Sequence, residues 1–130
     1  MDEYLIPNAS YLRLLKEYTS YGTLVVAFDF DNTVYDFHKK GGTYNQVIEL
    51  LREMDSLGFH LICFTANEDT EFIEGYLACN NIPYHGLNEN PPFFKGKSGK
   101  IYFNALLDDR AGLVQVYQEL DLLVKTIKQK

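Results

Sequence analysis

Leu24-Val25-Val26-Ala27-Phe28-Asp29-Phe30-Asp31-Asn32-Thr33 is the stretch on which the fold turns. An apolar, β-branched run that stops abruptly at Asp29-x-Asp31-x-Thr33 predicts a buried strand with two carboxylates at its exposed tip. Alternation along an extended backbone puts Asp29 and Asp31 on the same side, close together. At about 4 Å two unit charges repel by roughly 4 kcal/mol at an effective dielectric near 20. A fold tolerates that only where a cation, a shared proton or water compensates. The stretch therefore predicts a metal or proton-transfer site.

Outward from it, the pattern alternates between strands and helices. Upstream, Pro7, Asn8 and Ser10 precede Tyr11-Leu12-x-Leu14-Leu15-x-x-Tyr18, a capped amphipathic helix that Gly22 separates from the first strand, Leu24 to Phe28. Downstream, Val34 to Gly42 reads as a loop or small hairpin, and Thr43 caps a helix striped by Val47, Ile48, Leu50, Leu51, Met54 and Leu57 and ended by Gly58. Phe59 to Phe64 is a second short strand, ending in Thr65-Ala66-Asn67. A third helix follows, with Phe72, Ile73, Tyr76 and Leu77 at helical spacing; a brief third strand is expected around Ile82 to His85. Asn88 to Gly99 reads as a loop. Ala105-Leu106-Leu107 is a fourth apolar run ending in Asp108-Asp109, and a last helix carries Leu113, Val116, Tyr117, Leu120, Leu123, Val124 and Ile127. This order predicts an α/β fold: a Rossmann-like, doubly wound parallel sheet of four to five strands, with right-handed crossovers and helices on both faces. In such sheets ligands gather at the carboxyl ends of the strands, where Asp29, Asp31, Thr65, Asp108 and Asp109 would meet and Lys100 could reach.

Composition excludes several classes. The 130 residues suit one domain, 1–130, with a single core. Apolar residues make up 46 % and charged ones 23 %, which argues against disorder. A formal net charge of −6, with no basic stripe, argues against nucleic acid as a partner. Lys125, Lys128 and Lys130 read as complementing a helix C-terminal dipole. No apolar run approaches the roughly 18 residues needed to cross a bilayer. The acidic start, Met1-Asp2-Glu3, lacks a signal-peptide pattern. Cys63 and Cys79 read as free thiols, without zinc-type spacing. A soluble, cytoplasmic protein is expected.

Four segments, in order, resemble the motifs of the haloacid dehalogenase superfamily of phosphohydrolases and phosphotransferases. They are Phe-Asp-Phe-Asp-Asn-Thr-Val at 28 to 34, Leu-Ile-Cys-Phe-Thr at 61 to 65, Lys100, and Leu-Leu-Asp-Asp at 106 to 109. The likeness spans about Leu24 to Gly112. Lys-x-Tyr-x-x-x-Leu-Leu-Asp-Asp-Arg-Ala-Gly, from Lys100, also resembles small capsule-biosynthesis-type phosphatases. The resemblance implies a Mg²⁺-dependent phosphomonoester hydrolase. Asp29 would attack phosphorus and form an aspartyl-phosphate, whose acyl-phosphate bond is easily hydrolysed. Asp31 would protonate the leaving group and then deprotonate water. Thr65, with Ala66, would bind the phosphate, and Lys100 would neutralise the transferring group. Asp29, the Asp31 carbonyl and Asp108 would hold Mg²⁺. Asp31 separates this expectation from the dehalogenating branch, which lacks an acid/base carboxylate there.

Each residue also has a plainer reading. Asp29 and Asp31 suit a cap or turn, and Thr65 an ordinary strand end. Lys95 and Lys97 share the loop of Lys100, with Lys97 second by spacing. Asp109 reads as a metal partner or as a cap of the last helix, and Arg110 as paired with a carboxylate or facing solvent. His38, His60 and His85 are scattered. Tyr35, Phe37 and Tyr44, with Pro91-Pro92-Phe93-Phe94, read as an aromatic rim or, more often, as packing.

About 34 residues separate Asp31 from Thr65, and a similar number Thr65 from Lys100, so no cap domain fits. An uncapped site is open, which suits a bulky or macromolecular substrate, or a homo-oligomer whose neighbouring subunit covers the cleft; the expected partner is a small-molecule phosphomonoester or a phosphorylated macromolecule. No fifth strand is evident after Asp109, which leaves the N-terminal helix to cover an extra face. The rivals are a phosphotransferase of the same superfamily, a phospho-acceptor signalling module, whose motif order would be reversed, and a catalytically idle scaffold that binds phosphate or protein.

Overall fold

Val25, Val26, Ala27 and Phe28 are buried in succession, so this strand has no solvent face and lies inside a sheet. The computed structural model describes residues 2–96 and 98–129. After a 3₁₀ turn at Glu3–Leu5 come α1 (Ala9–Tyr21), β1 (Val25–Phe28), α2 (Asn45–Ser56), β2 (His60–Cys63), α3 (Thr70–Cys79), β3 (Gly86–Leu87), β4 (Ala105–Leu107) and α4 (Leu113–Lys128). The four strands are parallel, in the order β3-β2-β1-β4. This is the α/β, Rossmann-like, doubly wound arrangement that the alternation predicts. Register sets Val26 beside Leu61 and Ala105, and Phe28 beside Cys63 and Leu107.

Even-numbered residues of β1 face the helices. Val26 and Phe28 join Leu61, Cys63 and Leu107 in a core with Leu14 of α1, the Val47–Met54 stripe of α2, Ile73 and Leu77 of α3, and Leu120, Leu123 and Val124 of α4. The chain steps outward from β1 to β2 to β3, so right-handed crossovers put α2 and α3 on one face. It then returns past β1 to β4, and this crossover must run over the opposite face. Expected to carry helices too, that face is covered, among the described residues, by the irregular stretches 88–96 and 98–104. Ile101 and Phe103, with Phe64 and Leu106, close over Val25, Ala27 and Ile62. Asn, Pro, Gly and Ser punctuate residues 88–99 and leave too short an apolar period for a helix.

Three local expectations need correction. The N-terminal helix does not cover an extra face: α1 packs on α4 and gives Leu14 to the common core. Thr43 does not cap α2; Tyr44, at φ +57°, precedes it without a side-chain cap. The third strand is Gly86–Leu87 rather than Ile82 to His85, because Ile82 donates its N–H to Leu77 O at 2.9 Å and buries its side chain in ending α3. Gly58 does close α2, at φ +85°, while Phe59 N–H reaches back to Met54 O at 3.0 Å. Lys125 and Lys128 lie in the last turn of α4, and Lys130 lies outside the described residues.

Candidate active site

The strand order reverses between β1, from which the chain winds out to β2 and β3, and β4 on its other side, and the crevice beyond the carboxyl ends at such a reversal is where ligands bind in sheets of this kind. Asp29 follows the last residue of β1. Its N–H donates to Leu107 O at 2.8 Å, so the ladder itself holds the nucleophile candidate beside β4. Phe30 then plunges into the core and stacks on Tyr35 at 5.1 Å, with Phe72 and Tyr76 edge-on. The N–H groups of Val34 and Tyr35 both donate to Phe30 O at 3.1 Å, and Asn32 takes φ +64°. The chain thus folds back at once and leaves Asp31 on the crest.

Thr33 joins the two acidic loops. Its buried hydroxyl oxygen accepts the Asp109 N–H at 3.3 Å. Asp108 Oδ1 accepts the Arg110 N–H at 2.9 Å, and Asp108 O accepts the Ala111 N–H at the same distance, which turns the chain into α4. At the end of β2, Thr65 is clamped from both sides: its N–H donates to Asn88 Oδ1 at 2.8 Å, and Asn88 Nδ2 donates to Thr65 O at 2.9 Å. Thr65 Oγ1 accepts the Asn67 N–H at 3.1 Å, so its own proton is directed elsewhere.

These loops enclose an open cleft of about 520 Å³. Asp29, Asp31, Thr65, Ala66 and Asp108 all line it, together with Asn32, Phe64, Asn67, Asp109 and Arg110. Carboxylate oxygens of Asp29, Asp108 and Asp109 lie within 4.8 Å of one another, the one such group among the described residues. Burial pushes the Asp29 carboxyl up to about 7, helped by the hydrogen-bonded Asp109 and the charge of Asp108. Ionising Asp29 beside these two carboxylates is therefore costly until a counter-charge joins them. Asp31 stands apart from this trio. Its Oδ1 is buried without a hydrogen-bond partner, and its Oδ2 has only Asn67 Nδ2 at 3.5 Å. An orphaned buried oxygen of this kind calls for a proton, a water or a ligand.

Lys100 is not among the residues lining the cleft. It is exposed beside a shallow hollow of Phe94, Ser98, Ile101, Tyr102 and Phe103. Lys95 lines a groove with Tyr21, Thr23 and Leu24, at the amino end of β1, and Lys97 lies outside the described residues. Among the described residues, the cation in the cleft is Arg110. An aromatic rim does not form either: Tyr35 packs inward, Phe93 lies against His60, and Phe94 stacks on Tyr102. His60 and His85 stack at 5.2 Å, and His85 bridges Leu61 N–H and Asp55, a structural tie at the sheet edge. The sequence does not announce the roles of Asn67 and Asn88. Their signal is the Thr-Ala-Asn strand end and an Asn at the start of a loop.

No protein-family model and no curated protein matches this chain. Among solved structures, a conserved protein from Bacteroides thetaiotaomicron superposes with a TM-score of 0.61 at 20 % identity, covering 82 % of this chain and 91 % of the other. A protein from Vibrio cholerae aligns with a TM-score of 0.47 at 22 % identity, over 83 % of this chain and 98 % of its own. The first likeness speaks to the α/β fold alone.

Proposed function

We propose that this chain is a Mg²⁺-dependent phosphomonoester hydrolase of the haloacid dehalogenase type, working through an aspartyl-phosphate. The observation that carries the proposal is the convergence of Asp29, Asp31, Thr65, Asp108 and Asp109 on one cleft from the ends of three adjacent strands. The donor set fits the metal: three hard carboxylates close together, with Asp29 costly to ionise until a cation joins them. Asp29, Asp108 and Asp109 are the side chains that would hold Mg²⁺, which would offset the repulsion between these carboxylates and a dianionic phosphate.

In the first step a carboxylate oxygen of Asp29 attacks phosphorus and the bond to the leaving oxygen breaks. Asp31 gives that oxygen its proton; the unpartnered Oδ1 supports this role, and Asn67 steadies the other oxygen. Asp31 then takes a proton from the water that attacks the acyl phosphate, which releases orthophosphate and restores Asp29. The Thr65 hydroxyl, whose oxygen already accepts from Asn67, has its proton free for a phosphoryl oxygen. An open cleft accommodates small phosphomonoesters and phosphorylated macromolecules alike. Among the described residues no helix is long and apolar enough to cross a membrane. A cytoplasmic location is part of the same proposal.

A screen of metabolite phosphates tests it. Phosphate release should require Mg²⁺, stop with EDTA, and fall by about 10³-fold or more in Asp29→Asn. A second reading, a scaffold that binds phosphate without turnover, draws on the lack of a lysine in the cleft among the described residues. Phosphate binding without release from any ester would favour it.

A further inference from the structure

Four aspartates crowd the cleft, and a phosphomonoester would bring further negative charge. Arg110 is the one cationic side chain lining it among the described residues. The turn between β4 and α4 fixes its place, because its N–H is tied to Asp108 Oδ1 and Gly112, at φ +68°, starts the helix two residues on. The chain's two other arginines are committed to structure. Arg13 pairs with Glu17 and donates to Asn104 O, and Arg52 pairs with Glu49 while donating to Asn80 O and Asn81 O. Arg110 makes no ion pair or side-chain hydrogen bond among the described residues, although Asp108 and Asp109 precede it.

We propose that Arg110 is the phosphate-binding cation of this cleft, a role the resemblance would have given to a lysine. This rests on the phosphomonoester reading above. A guanidinium suits that role, because its planar fork matches two phosphoryl oxygens at once and it stays charged at every working pH. Exposed and lining the cleft, Arg110 would grip the non-bridging oxygens.

The test compares the full chain with Arg110→Gln, Arg110→Lys and Lys100→Gln. Turnover of p-nitrophenyl phosphate with Mg²⁺ and binding of inorganic phosphate by calorimetry are measured on each, with thermal melts as folding controls. Arg110→Gln should melt like the wild type, lose about 10²-fold in kcat/KM and bind phosphate about tenfold or more weakly. Arg110→Lys should recover part of both. If Arg110→Gln keeps wild-type turnover and phosphate affinity, or Lys100→Gln takes the loss instead, the assignment to Arg110 fails while the phosphatase reading stands. If the wild type binds phosphate without turnover, loss of binding in Arg110→Gln still supports the assignment. If the wild type neither binds phosphate nor hydrolyses the ester, both fall together.

Discussion

Asp29 shows how a single residue can be costly to the fold and useful to the site. Its carboxyl, raised from 3.8 to about 7, binds a proton more tightly in the folded chain than in the unfolded one. The stability linked to that proton is fully present below about pH 4 and is lost as pH rises through 7. In EDTA, Asp29→Asn should therefore be more stable than the wild type at pH 8, by about 1–2 kcal/mol once solvent screening of a half-exposed group is allowed for. The gap should close toward pH 4, and Mg²⁺ should stabilise the wild type only. Melting curves at pH 4, 6 and 8 decide this, and a gap independent of pH would refute it. Cys63 offers a second check. Burial, then the charges of Asp29 and Asp31, push its thiol up to about 12, whereas Cys79 is exposed. A thiol reagent at pH 8 should modify Cys79 promptly and Cys63 only on unfolding; prompt reaction of both would contradict the buried placement of β2. At this scale much was legible. Asp29, Asp31, Thr65 and Asp108 stand out because polar residues at the ends of apolar strands have few other uses. Arg110 did not, since only the turn at Asp108 decides which way the next side chain lies.

Elements reach the site through a few side chain to backbone bonds. Thr33 is buried and holds the Asp109 N–H, so Thr33→Val keeps the volume and orphans that donor. A loss of about 1–2 kcal/mol is expected, with weaker Mg²⁺ binding because Asp109 is freed. Denaturant unfolding and metal titration measure the two effects, and an unchanged metal affinity would show that Asp109 does not depend on Thr33. Asn88 does the same for Thr65 with two bonds, from a backbone at φ +53° that asparagine tolerates better than alanine. Asn88→Ala should cost about 2 kcal/mol and, under the proposed mechanism, impair turnover as Thr65 loses its anchor. Boundaries of strands were less legible than the strands themselves. Ile82 and Tyr84 have the pattern of a strand, yet Ile82 spends its burial in closing α3, and pairing starts only when His85 N–H meets Leu61 O at 2.7 Å. An edge strand of two residues leaves no periodicity to read.

Across the whole molecule the two faces of the sheet are unequally protected. One is covered by four helices and a continuous core, the other by the 88–104 crossover and a few aromatic and aliphatic side chains. A sequence cannot reveal this from strand order alone: handedness says which face the crossover takes, not what covers it. That also explains Lys100, whose distance along the chain to Asp108 suggested the cleft, whereas the crossover carries it beside Phe94 and Tyr102. The thin cover predicts an order of opening. β1 is paired on both sides and its amides should exchange only on global unfolding, while residues 88–96, residues 98–104 and β3 should exchange through smaller openings. Phe103, half-buried and 6.0 Å from the Phe64 ring, is the place to loosen it. Phe103→Ala should cost about 2 kcal/mol, less than a fully buried phenylalanine, and speed exchange across the crossover more than in α2 or α4. Its reach should extend to the foot of β1, where Asn104 accepts the Val25 N–H through Oδ1 and donates its own N–H to Val25 O, each at 2.7 Å. The carboxyl end of β1 is held by Leu107 and Cys63 rather than by the crossover, so the geometry of Asp29 and the metal affinity should survive. Exchange that rises equally in the helices and the crossover would mean that the two faces unfold as one.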